Sequence, residues 1–251
     1  GHGQALTLEG GVQAGVGARG NALGFSGAVD GMASFTAPPL TALTLAAWVK
    51  VEGLGQGDKP YPRVIELPGC FLHLTQDAWM RLGLTFWAGD GHWTSAGRSF
   101  ASGEWAHVAV SYDGSQVTEP PAFFINGQRV PQALGTAPKA PVSSAAGVGV
   151  LGNNRARQRP LHGLLSDVRI YDEVLSAGAL AVLARRTPEG EAPQDTPVTF
   201  RDELPVVDEA ACNHCGKCEE ACQYGALTVL QNRILFFPEL CHSCGGCTLV
   251  C

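Results

Sequence analysis

The sequence predicts a mainly β chain, a two-sheet sandwich over residues 1–186, followed by a small separate domain over 206–251. Three observations carry this. Strand-length apolar runs recur along the first part, Gly (32) and Pro (16) punctuate the chain with turns, and eight of the last forty residues are cysteine. The final segment is too small for an ordinary apolar core, so it needs a covalent or metal staple.

The strand candidates, in order, are "LTLAAWVKV" (43–51), "RVIELPGCFLHL" (63–74), "RLGLTFWA" (81–88), "EWAHVAVSYDG" (104–114), "AFFINGQRV" (122–130) and "AGVGVLGN" (146–153). Several alternate with period two, the mark of a half-buried strand. Asn126-Gly127 supplies two left-handed residues, which predicts a tight type I′ hairpin there. One late helix is expected over "LSAGALAVLARR" (175–186), with Ser176 as N-cap and Leu180, Leu183 and Leu175 facing the sheet. The next run, "RTPEGEAPQDTPVTFRDELP", has four prolines and no helical period, so residues 187–205 read as a linker.

Charge sorts with this division. From Glu191 onward there are nine Asp/Glu and three Lys/Arg, so the net charge of −6 belongs to the tail and its lead-in. With no basic footprint, nucleic-acid binding is set aside. The longest apolar runs, such as "ALTLAAWV", are too short to span a bilayer.

The tail cysteines form one pattern used twice: Cys212-x2-Cys215-x2-Cys218-x3-Cys222, then Cys241-x2-Cys244-x2-Cys247-x3-Cys251. Three thiolates so spaced can wrap one corner of a cubane cluster, and the fourth ligand comes from the remote run. The expected sites are therefore two [4Fe-4S] clusters, one on Cys212, Cys215, Cys218 and Cys251, the other on Cys241, Cys244, Cys247 and Cys222. A disulfide framework would make the repeated spacing a coincidence. Zinc would take two pairs per tetrahedral site, which is not this layout.

"LPVVDEAACNHCGKCEEACQYGAL" and "FPELCHSCGGCTLVC" resemble a bacterial-type ferredoxin, most closely the module inserted in MinD-type P-loop ATPases. The resemblance covers the last fifth of the chain and implies a ferredoxin-like α+β iron–sulfur domain serving a redox partner protein. No GxxxxGK[ST] run accompanies it, so the ATPase itself is absent. Gln223 stands where the family has proline, and the module is expected to be incomplete beyond Cys251. Gly216, Gly245 and Gly246 are expected to let backbone amides approach the cluster sulfurs. His214 and His242 lie inside the binding loops, as outer-sphere or exposed residues. "ALTVLQNRILFF" reads as a hairpin turning at Gln231-Asn232, pairing Val229 with Ile234 and Leu227 with Phe236 as apolar cover.

The first part resembles a LamG-like (concanavalin A-like) jelly roll. The resemblance is carried by "GNALGFSGAVDGMASF", "LTLAAWVKV", "EWAHVAVSYDG", "FFINGQRV" and "GLLSDVRIYDEVLSAGALAVL". The family opens with one more strand, expected to be missing before Gly1. The resemblance implies a module binding a glycan or protein, in some members with calcium. Asp30, Asp113, Asp167 and Asp172 offer oxygen ligands to calcium, but each sits where aspartate commonly caps backbone, and capping is the favoured reading. Trp48 and Trp105 are expected in the core. Trp87 and Trp93 flank a Gly-rich loop where a sugar could stack, with packing the favoured role. His107 is expected half-buried and Cys70 a lone buried thiol.

No Glu-x-Asp-x-x-Glu strand of the family glucanases occurs, so glycoside hydrolysis is not expected. The residues favour an iron–sulfur electron-transfer or redox module joined to a lectin-like domain. The alternative is a recognition module whose tail is a structural staple. Clusters suit a reducing cytoplasm and jelly rolls of this type an extracytoplasmic setting, so localisation stays open.

Overall fold

Strand patterning and turn chemistry build two antiparallel sheets in a computed structural model. It describes residues 5–18, 20–57, 61–76, 81–96, 100–185, 198–201, 204–207, 212, 214–222, 224–230, 233–241 and 247. The chain divides into two compact units, Gly1–Gly190 and Glu191–Cys251.

In the first unit, β1 (Thr7–Glu9), β2 (Gln13–Gly17), β3 (Gly20–Ser26), β4 (Met32–Ala37) and β5 (Ala42–Gly53) come first. Next are β6 (Arg63–Leu67), β7 (Cys70–Gln76), β8 (Arg81–Ala88), β9 (Gly91–Ser95) and β10 (Phe100–Ala101). Then follow β11 (Trp105–Asp113), β12 (Ala122–Ile125), β13 (Gln128–Val130), β14 (Gln132–Thr136), β15 (Gly147–Leu151) and β16 (His162–Tyr171), with helix α1 (Ala177–Arg185) last. All six runs picked out in the sequence are strands. One nine-stranded sheet runs β1-β4-β15-β6-β7-β8-β9-β14, with β10 beside β8, and a seven-stranded sheet runs β13-β12-β11-β5-β16-β3-β2.

Period-two alternation decides what lies between the sheets. On β5, Leu43, Leu45, Ala47, Val49 and Val51 enter the core, as do Ala106, Val108, Val110 and Tyr112 of β11. Leu72 and Leu74 of β7 and Leu82, Leu84 and Phe86 of β8 meet them from the other sheet. Each fully buried Leu or Phe contributes roughly 1.5–3 kcal/mol by leaving water.

The other parity of the seven-stranded sheet is covered by α1. Ala46, Ala109 and Phe124 pack under Leu180 and Leu183, with Leu175 half-buried beside them. Ser176 Oγ accepts from the Ala179 amide at 3.2 Å, the expected N-cap. The expected hairpin is present: Asn126 and Gly127 have φ of 50° and 76°, and Ile125 pairs with Gln128. A Cβ on Gly127 would come within 2.9 Å of Ala181 Cα in α1, so the turn needs glycine for both conformation and space.

In the second unit, β17 (Val198–Arg201) pairs antiparallel with β18 (Leu204–Val207). The linker expected over 187–205 therefore ends in strand. Its four prolines masked "VTFR" and "LPVV", whose β-branched and aromatic residues suit a two-stranded ribbon. Helix α2 (Lys217–Ala221), β19 (Leu227–Leu230), β20 (Arg233–Phe236) and a 3-10 turn at Pro238–Leu240 follow. Among the described residues, no helix is long and apolar enough to cross a membrane.

Candidate metal centre and ligand face

The tail brings cysteines of both runs to one apolar cluster. Cys218 and Cys247 are buried with Leu227, and Cys222, Val207, Val229, Ile234 and Phe236 pack around them. The pairing is the one read from the sequence: Leu227 faces Phe236 and Val229 faces Ile234. The turn residues Gln231 and Asn232 lie outside the described residues, as do Cys244, Cys251, Gln223, His242, Gly245 and Gly246.

Local geometry positions the described ligands. Gly216, at φ 79°, caps α2 from the left-handed region, and its carbonyl accepts from the Glu219 and Glu220 amides at 3.0 and 3.1 Å. A side chain there would meet no atom, so the backbone angle is what requires glycine. Cys218 rides on α2 and Cys222 ends it. The 3-10 turn, opened by Pro238, delivers Cys241. Glu219 Oε2 accepts from the Val229 amide at 3.0 Å, tying α2 to the hairpin.

Two sulfurs already accept backbone amides. His214 N donates to Cys212 Sγ at 3.4 Å, and Ala226 N donates to Cys222 Sγ at 3.2 Å. Cys212, Cys222 and Cys241 carry free thiols. Soft sulfur donors, amide donation to sulfur and apolar cover suit an iron–sulfur cluster. His214 is half-buried at φ 55°, and its Nε2 has no hydrogen-bond partner.

The first unit presents a second chemical surface, on the outer face of the nine-stranded sheet. Neighbouring strands set two rows side by side. In one, Glu66 lies opposite Phe71, Phe71 opposite Trp87, and Trp87 opposite His92. In the other, Arg63 lies opposite His73, His73 opposite Thr85, and Thr85 opposite Thr94. The first row is a stack, with Phe71–Trp87 ring centroids at 5.8 Å and Trp87–His92 at 4.6 Å. Arg63 Cζ sits 3.5 Å from the Phe71 ring centre, a cation–π contact.

Charge is concentrated at one end of these rows. Glu66 accepts from Arg63 Nε at 3.0 Å and from Arg155 Nε at 3.4 Å. His73 is 7% exposed, and neither ring nitrogen has a hydrogen-bond partner. Tyr61 and Phe71 flank it edge-on at 5.8 and 5.9 Å. Burial first, then the Arg63 and Arg159 charges, holds its pKa down to about 3, so the ring is neutral.

Several sequence expectations change here. Trp93 is buried against Phe86 and Tyr112 and cannot meet a sugar, whereas Trp87 is half-buried on the outer face. Trp48 and Trp105 are also half-buried outside the core, because the core of β5 and β11 takes the opposite parity. His107 is nearly fully buried, edge-on to Trp48 at 5.6 Å. Cys70 is the buried thiol expected, pushed up to about 12 by burial, with a Ser144 hydrogen bond opposing.

The aspartates behave as caps and ion pairs. Asp113 Oδ1 accepts from Ser115 N and Oγ at 3.0 and 2.7 Å, and Asp167 pairs with Arg169 at 2.8 Å. Asp30 and Asp172 are exposed. Among the described residues, which include neither Cys244 nor Cys251, no three His, Cys, Asp or Glu side chains are grouped so as to hold one metal ion. The signal for Phe71 and His73 was the alternation inside "CFLHL"; Arg63 and Glu66 have opposite parity in "RVIEL" and share the outer face through the irregularity between Arg63 and Ile65.

Similarity to known proteins agrees with this geometry. A family described as the concanavalin A-like lectin/glucanases superfamily matches residues 15–181, and a 4Fe-4S binding domain matches residues 204–227. No curated protein sequence is similar to this chain. Among solved structures, a heptameric SAP-like pentraxin from Limulus polyphemus is 16% identical, with a TM-score of 0.48 over 70% of this chain and 88% of its own. Domain 4 of an extracellular arabinanase from Geobacillus stearothermophilus, in complex with arabinotriose, is 20% identical, with 0.49 over 72% and 87%. A Trypanosoma rangeli sialidase is 15% identical, with 0.47 over 69% of this chain and 29% of its own.

Proposed function

Because the chain belongs to the concanavalin A-like lectin/glucanases superfamily and carries a 4Fe-4S binding domain, we propose that it couples a lectin-like binding domain to an electron-transfer or redox module. In this reading the tail, residues 206–251, is a ferredoxin-like α+β domain similar to the module of MinD-type ATPases. It holds two [4Fe-4S] clusters, and the sandwich of residues 1–186 binds a glycan or protein. The observation that carries the reading is the shared apolar cluster, where Cys222 of the first run packs with Cys247 of the second. Crossed ligation, with Cys222 joining Cys241, Cys244 and Cys247 while Cys251 joins Cys212, Cys215 and Cys218, makes use of that proximity.

When bound, each cluster can carry one electron. The chain's own residues set the conditions for it. Amide donation from Ala226 and His214 spreads charge off the thiolates, which favours the more reduced state. Leu227, Val229, Ile234 and Phe236 limit water. With clusters bound at these cysteines, a redox partner protein would exchange electrons with them. Calcium forms no part of this reading, since Asp113 and Asp167 are engaged elsewhere.

The second reading keeps the sandwich as the working part and makes the tail a structural staple. Match of the lectin family to the larger part of the chain favours it. Anaerobic titration with dithionite separates the two. Reversible bleaching, with paramagnetic signals on reduction and recovery on reoxidation, supports the redox role. A tail that does not reduce, or is destroyed by one cycle, supports the staple.

A further inference from the structure

The loop between the first two cysteines of the tail carries a side chain that the ligand spacing does not account for. His214 stands between Cys212 and Cys215 with a backbone φ of 55°. Left-handed backbone is uncommon outside glycine, although histidine is among the few other residues enriched there. In this conformation the His214 amide donates to Cys212 Sγ at 3.4 Å. Glycine would meet that backbone need with less strain. The imidazole therefore calls for a reason of its own.

That reason lies at the far end of the ring. Nε2 is buried and has no hydrogen-bond partner, although the residue as a whole is half-buried. A ring nitrogen kept from water with nothing to pair with is disfavoured. In the proposed ligation this loop wraps a cubane, which brings thiolate and sulfide, both acceptors of N–H bonds, to the same loop. Iron is the weaker match for the nitrogen. Eight cysteines fill the four iron positions of each of two cubanes, and none is left over.

We propose that His214 tunes the cluster held by Cys212, Cys215 and Cys218, its Nε2–H donating to a sulfur of that cluster. One residue then supplies two donors, the amide to Cys212 Sγ and the ring to a second sulfur. Donation of this kind spreads negative charge off sulfur, which favours the reduced state and raises the potential. Ser243 takes the corresponding place in the second run, so the imidazole donor falls on one cluster of the two. The inference rests on the iron–sulfur half of the proposed function and is independent of the sandwich. Iron and acid-labile sulfide counted on the same samples tell failure of that reading from failure of this one.

The test compares the full chain, prepared anaerobically, with three variants. His214→Asn keeps a residue that tolerates left-handed backbone, but its side chain is too short to put a donor where Nε2 lies. His214→Gln carries an amide nitrogen far enough out to donate there. His214→Phe keeps a ring and has no donor. All three are expected to hold the iron and sulfide of the parent.

Redox titration followed by paramagnetic resonance should show one cluster reduced at a lower potential in His214→Asn and His214→Phe, with the other cluster unmoved. His214→Gln should stay close to the parent. Resonance Raman of the oxidised proteins gives a second reading that needs no reduction. The shift of the Fe–S stretching bands on deuterium exchange should be smaller in His214→Asn and His214→Phe than in the parent. If His214→Phe fails to assemble, His214→Asn and His214→Gln still decide. Potentials and deuterium shifts unmoved at full iron content would overturn the proposal, as would a His214→Gln variant that moves as far as His214→Asn. Loss of about four irons in His214→Asn would overturn it too, by making His214 necessary for holding the cluster. A parent chain without iron and sulfide would overturn the functional reading and this inference together.

Discussion

The Ala226 amide donates to Cys222 Sγ at 3.2 Å, four residues along a turn that Gly225 makes at φ 65°. The Phe237 amide in turn donates to the Ala226 carbonyl at 2.8 Å, so the sulfur is fixed to the hairpin rather than to α2 alone. This places the last cysteine of the first run on the element that leads to the second run.

Cys222→Ser tests the crossed arrangement. The cluster built on Cys241, Cys244 and Cys247 should be lost or converted, leaving about four irons per chain after mild purification. Paramagnetic resonance of the reduced variant identifies which cluster survives. Damage confined to the cluster on Cys212, Cys215 and Cys218 would show that each run keeps its own fourth ligand.

Apolar cover should govern resistance to oxygen. Ile234 packs in the cysteine cluster opposite Val229. Ile234→Asp puts a carboxylate beside thiolates and draws in water, so bleaching in air should speed up, while Ile234→Val should behave like the parent. Equal bleaching rates for all three would mean the hairpin does not shield the clusters.

Gly127→Val should destabilise the first unit by about 1–3 kcal/mol, through a strained positive φ and a clash with α1. Denaturant unfolding followed by tryptophan fluorescence reads this directly. A change near zero would mean that the hairpin and α1 separate easily.

Acid should weaken the sandwich through His73. Its folded pKa of about 3 lies below the ordinary value of 6.5, so the unfolded chain binds the extra proton between those values. Stability is full above pH 6.5, falls as pH drops toward 3, and His73 adds no further loss below that. His73→Leu should flatten this dependence in melting temperature. An unchanged slope would assign acid sensitivity to other groups.

Much of the fold was legible because its signals are local. Asn126-Gly127 dictates its turn, Ser176 caps its helix, and Leu227 to Phe236 follow strand parity. Face assignment was harder. Trp87 and Trp93 look equivalent in "TFWAGDGHWTS", yet Trp87 pairs with His92, which sends Trp93 to the opposite face. Trp48 was misjudged because residue type was weighed above the odd-numbered core positions of β5. The ribbon of β17 and β18 was hidden by its prolines. The aromatic and charged rows of the outer face were not legible as a whole because they need four strands brought into register, and no single run contains them. The cysteine spacing, by contrast, carries its chemistry within forty residues.

The central claim is tested most directly by counting iron and acid-labile sulfide per chain in protein prepared without oxygen. The account predicts about eight of each, with a brown colour and broad absorption near ~400 nm. A colourless protein holding two zinc ions per chain and no sulfide would contradict it.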